Sequence, residues 1–170
     1  MIVPTAFWEY QETGSAEALA KLHEQIKADP YFTERAPWYP RATDLLRDER
    51  YDEVIDLIEN LMPGVFFCPE AHSMLGYAYA QLNDHERSDI HRTWADLAVA
   101  AIQSSGKGTR SWPWRVLRII DEYALLRERG MKPVSQERIE QDGRIFDTHI
   151  AADDDLHGFD FGNQCWFELV

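Results

Sequence analysis

The sequence predicts an α+β fold in which helical hairpins are followed by a small antiparallel β-sheet. Three observations carry this. Apolar residues recur at helical spacing in paired segments through the first hundred positions; after Ser105 the texture changes to short β-branched and aromatic runs; and Gly, Pro and Asp punctuate those runs. The division that follows is 1–105 for the hairpins and 106–170 for the sheet region, the two sharing one core. A chain of 170 residues buries about two-thirds of the surface its unfolded form exposes and folds without staples.

The first part repeats itself. The segments beginning "AFWEYQ", "ATDLLR" and "GYAYAQ" align so that small residues recur at Ala6, Ala42 and Gly76, offsets of 36 and 34. Twelve positions after each come Ala18, Val54 and Ser88, and four beyond those come Leu22, Ile58 and Arg92. A small residue on one helix lets the next helix approach closely. The pattern resembles the tetratricopeptide repeat: Trp38 stands at the bulky first-helix position, Ala42 and Gly76 at the small one, and Leu45 and Tyr79 at the next large one. Ala18, Val54 and Ser88 take the small second-helix position, and Pro30 the terminating proline. Ser88 and Arg92 depart from the pattern, and Pro63 falls short of its place. The resemblance implies three degenerate hairpins with a short concave surface for an extended peptide or partner.

Local signals set the elements in order. Ser15 is an N-cap, and Asp29-Pro30 ends the helix it opens. Pro37 and Pro40 bracket the second hairpin's entry, Pro63-Gly64 closes it, and Pro69 opens the third. The last helix, Glu86 to Ser104, is longer than a repeat needs, and its apolar excess is expected to cover the sheet. Strands are expected at Trp114–Ile120, Tyr123–Arg129, Val134–Ile139, Arg144–Ile150 and Cys165–Val170, with a tight turn at Asp142-Gly143. A further short strand is expected at Phe159–Phe161. With no helix for a parallel crossover, the strands read as an antiparallel meander.

Between helix and sheet lies "SSGKGT". It lacks the spacing of a phosphate-binding loop and runs from helix to strand, so it meets the carbonyl end of a helix, which repels anions. Gly106 reads as the helix C-cap, Gly108 as the freedom to turn, and Lys107 as a cation at the carbonyl end.

The net charge of −13 is uneven. Residues 1–105 carry 8 basic and 18 acidic side chains, 106–139 carry 8 and 4, and 140–170 carry 1 and 8. Such acidity repels nucleic acid and favours a basic protein partner. No leader and no membrane-length apolar run is evident, which places the protein in the cytoplasm. Cys68 and Cys165 lack metal or redox spacing and read as core thiols.

Candidate sites are few. His91, Glu122 and Tyr123 offer a helix-borne imidazole, a carboxylate and a phenol, fit for acid–base work or for a structural polar tie. His72, His85 and His91 have poor ligand spacing, and "ADDDLHGFD" lacks a calcium-loop pattern. No catalytic or cofactor motif is present. Among the aromatics, Trp38, Tyr39, Tyr77, Trp112 and Trp114 are the candidates for partner contact.

From His91 onward the chain also resembles a bacterial domain-of-unknown-function family. His91, "SSGKG", Val116, Ile119 to Ile120, "DEYALLRERG", Gly143 with Asp147, and "WFELV" carry the likeness. Lys107 replaces the aspartate of the family's turn, and Asp121-Glu122 stands for its paired glutamates. The resemblance implies hairpins followed by a small sheet, and no activity. The functional expectation is a non-catalytic, acidic protein-interaction module, in its sharpest form an immunity protein against a basic toxin. The alternative is a hydrolase or transferase at His91, Glu122 and Tyr123. Oligomeric state stays open.

Overall fold

The computed structural model describes residues 1–151 and 164–170. The expected strand at Phe159–Phe161 and the acidic "ADDDLHGFD" segment lie outside them. The chain divides into two compact units, Met1–Ala95 and Asp96–Val170.

The first unit contains α1 (Thr5–Thr13), α2 (Ala16–Lys27), α3 (Tyr39–Arg47), α4 (Tyr51–Glu59), α5 (Pro69–Gln81) and the first half of α6 (His85–Ser104). The Ser15 hydroxyl accepts from the Ala18 amide at 3.1 Å, as an N-cap should. Pro69 occupies the first turn of α5, where no backbone donor is needed. The repeat positions are packed as their sizes require: Ala6, Ala42, Ala18, Val54, Leu22 and Ile58 are all buried. At Gly76 a side chain would meet Arg92 Cγ at 3.1 Å and the Ser88 carbonyl at 3.3 Å. Ser88, polar where Ala18 and Val54 stand in the aligned segments, is buried and donates its hydroxyl to the Gly76 carbonyl at 2.8 Å. That bond resolves the misfit seen in the sequence. Phe7 packs edge-on against Phe66, Phe67 and Trp94 and anchors an aromatic core.

The second unit begins within α6. Ile102 joins Trp114, Val116, Leu125, Leu126, Met131, Cys165 and Phe167 in one apolar cluster, so the surplus length of this helix does cover the sheet. The strands are β1 (Trp114–Val116), β2 (Pro133–Gln141), β3 (Arg144–Ala151) and β4 (Gln164–Leu169), in the order β1-β4-β3-β2.

The α+β class stands, but the sheet is mixed. β2, β3 and β4 are antiparallel neighbours, whereas β1 runs parallel to β4, with Trp114 opposite Phe167. The expected strand Tyr123–Arg129 is instead helix α7 (Ile119–Glu128). "ALLRE" is a run of strong helix formers, and Asp121 accepts from the Arg118 amide at 3.1 Å to close the first turn. With α7 in place, β1 stops at Val116 rather than Ile120, and the chain has the crossover that a parallel pairing needs.

The glycine turn also departs from expectation in its causes. Gly108 has φ +72° and is the residue that turns, but Gly106 is needed for space: a Cβ there would lie 2.0 Å from the Pro113 carbonyl oxygen. Lys107 holds its ammonium 5.1 Å from the Trp112 ring centre instead of capping the helix. Its amide donates to the Trp112 carbonyl at 2.9 Å.

Candidate functional site

A tyrosine pair of the hairpin unit is set up by one turn. Glu49 takes φ +59° after α3 and redirects the chain, so that Tyr51 opens α4 beside α5. Tyr51 and Tyr77 meet edge-on with ring centres 6.1 Å apart. Tyr77 is 48% exposed and Tyr51 half-buried. Burial, Tyr77 and the Glu49 carboxylate all push the Tyr51 phenol up. Asp48, Glu49 and Asp52 flank the pair in exposed positions. Arg50, the cation within this run, is already clamped by both oxygens of Glu53 at 2.6 Å. The result is a phenol pair in a field of carboxylates, suited to a cationic side chain from another molecule.

The other nominated aromatics separate by burial. Trp112 is 53% exposed and Tyr39 half-buried, but Trp38 and Trp114 are buried. Trp114 has no accessible surface because it is the centre of the sheet's apolar cluster. Neither buried indole has a face to offer a partner.

The acid–base residues fall in two places. His91 lies in the first unit, its Nδ1 3.0 Å from that of His72 and its ring stacked on Tyr79 at 5.4 Å. Burial lowers its pKa to about 4, so the His91 imidazole is neutral where it shares a hydrogen bond with His72. Tyr79 in turn donates to Glu59 at 2.5 Å, and burial with that carboxylate lifts the phenol to about 12.

Glu122 and Tyr123 lie on α7 in the second unit, and the histidine that Glu122 meets there is His149. Glu122 Oε2 is 2.6 Å from His149 Nε2. Burial, and then the Asp147 carboxylate, raise the Glu122 pKa to about 10, while burial lowers that of His149 to about 4. Both shifts point the same way: a neutral acid and a neutral imidazole share a hydrogen bond. Arg138, opposite Asp147 across the β2–β3 ladder, favours the ionised form of Glu122 and opposes the rise. Tyr123 donates to the Gln136 side-chain oxygen at 2.8 Å, and the Gln136 amide donates to Asp147 at 3.0 Å. The chain of bonds thus runs from a phenol 40% exposed to carboxyls and an imidazole that solvent does not reach. Glu122 and His149 are wholly buried. What the arrangement does is tie α7 to β2 and β3.

Asp147 was visible in the family likeness, but His149 was missed. The available signal was its spacing: Asp147 and His149, two apart on a strand, share a face. Their partner Glu122 is 27 residues from His149, and no local pattern links them. Among the described residues, no group of three His, Cys, Asp or Glu is placed to hold a metal ion. No helix among them is long and apolar enough to cross a membrane. Both cysteines are buried and neither is in a disulfide among the described residues, and burial pushes Cys165 up to about 12, leaving an inert thiol.

Residues 34–161 match the model of a family described as Domain of unknown function (DUF4919). The chain belongs to this family. The DUF4919 match begins well before His91 and so takes in the second and third hairpins together with Tyr51, Tyr77, Glu122 and His149. No curated protein matches the chain, and no solved structure does.

Proposed function

We propose that this chain is a non-catalytic protein-interaction module whose tetratricopeptide-like hairpins bind a basic protein partner. The observation that carries it is the Tyr51–Tyr77 pair, with Tyr77 48% exposed and the exposed Asp48, Glu49 and Asp52 next to Tyr51 in sequence, while Arg50 is held by Glu53. A lysine or arginine over the Tyr77 ring gains a cation–π contact of about 0.5–1 kcal/mol and the surrounding carboxylates. The same chemistry occurs within the chain, where the Arg87 guanidinium sits 4.3 Å from the Tyr79 ring centre. In its most specific form the partner is a basic toxin and the chain its immunity protein, since an acidic surface speeds capture of a basic target.

The test is affinity capture from host lysate with the wild-type chain and with a Tyr77→Ala, Asp48→Asn, Asp52→Asn variant, each at low and high salt. A basic protein held by the wild type, released by salt and lost with the variant supports the proposal. Equal retention by the variant, or no partner at any salt, sinks it.

A further inference from the structure

β2 is an outer strand of the sheet, nine residues long and almost wholly exposed. β3 pairs with one side of it, and among the described residues nothing pairs with the other. A long open edge is a template for another strand unless its side chains forbid it. Its backbone orientation can be read from one bond: the Thr148 hydroxyl donates to the Glu137 carbonyl oxygen at 3.4 Å, so that carbonyl faces β3. In an antiparallel ladder the N–H and C=O of one residue face the same side and alternate along the strand. Gln136, Arg138 and Glu140 therefore aim their backbone groups outward.

We infer that this edge takes a second copy of the same strand, β2 against β2, antiparallel about a two-fold axis at Ile139. In that register Arg138 stands opposite Glu140 of the second copy, and Glu140 opposite its Arg138. These are the residues with outward backbone groups, so the two ion pairs coincide with the hydrogen-bonded pairs of the new ladder. Ile139 meets itself on the axis. Shifting the axis loses the match: centred on Arg138 it sets arginine against arginine, and centred on Glu137 or Glu140 it sets glutamate against glutamate. The charges that repel a foreign strand or a slipped register thus permit this one. An isologous contact of this kind closes at two copies.

The full chain is tested by sedimentation over a wide concentration range, and a monomer–dimer equilibrium is expected. In Ile139→Cys the two thiols face each other across a non-hydrogen-bonded pair with Cα atoms about 4.5 Å apart, within disulfide range. Mild oxidation should convert it to a covalent dimer. Glu137→Cys, four residues out of register with its own copy, should stay uncrosslinked. Glu140→Arg, which opposes two arginines, should weaken the dimer at least tenfold, with folding of each variant checked by circular dichroism. A monomer at every concentration, a dimer indifferent to Glu140→Arg, or crosslinking of Glu137→Cys as efficient as that of Ile139→Cys overturns the inference.

Discussion

Glu122 acts in the fold as a carboxylic acid, and that gives the protein a defined pH response. Its pKa rises from 4.5 to about 10 on folding, so the stability it contributes is full below 4.5 and is lost as pH rises toward 10, by roughly 1.4 kcal/mol per pH unit for one proton. His91 and His149 carry the opposite sign. Both fall from 6.5 to about 4, so their contribution is full above 6.5 and is lost as pH drops toward 4. Two imidazoles outweigh one carboxyl below pH 6.5, and the carboxyl acts alone above it. The unfolding free energy from these groups should therefore peak near pH 6.5. Urea unfolding across that range is the check, with Glu122→Gln as the control: its amide can donate to Asp147 and accept from His149, and the alkaline limb should flatten. An unchanged alkaline limb would show that Glu122 is ionised in the folded protein. At this scale the sequence marked Glu122 but not the proton it holds, because a pKa depends on burial and on neighbours remote in the chain.

The elements were legible where the cause is local. Ser15 needed only the amide three residues on, and Ser15→Ala should cost about 1 kcal/mol in thermal or urea unfolding, with the loss in α2. The Asp142-Gly143 turn joins β2 to β3 as its dipeptide implied, both residues having positive φ. α7 stands where a strand is expected because "ALLRE" and the Asp121 cap favour a helix over the β-rich texture of the segments on either side. Gly106 shows the other kind of error. Its place after a helix suggested a left-handed cap, but its role is to let Pro113 pass within van der Waals range, a contact only the folded turn creates. Gly106→Ala should lower the unfolding free energy by roughly 1–3 kcal/mol through overpacking against backbone that cannot retreat. A neutral substitution would mean the turn can open freely. In α5, Gly76→Val should be comparably costly, since both branches would press on Arg92 and on the Ser88 carbonyl.

For the whole molecule, the net charge of −13 sets the long-range behaviour. At an ionic strength of about 0.1 M charges act over roughly 10 Å, and at 1 M over roughly 3 Å. Association with the proposed basic partner should slow steeply over that range, measured as the on-rate, while dissociation changes less. Composition alone determined this, as hydrophobic periodicity determined the α+β class and the paired helices, because net charge and period are properties of the chain in any conformation. The parallel β1–β4 pairing, the His149–Glu122 bond, the burial of Trp38 and Trp114 and the exposure of Tyr77 were decided only by the tertiary structure. Each depends on which distant segments come to lie side by side, and residue type does not encode its neighbour's address.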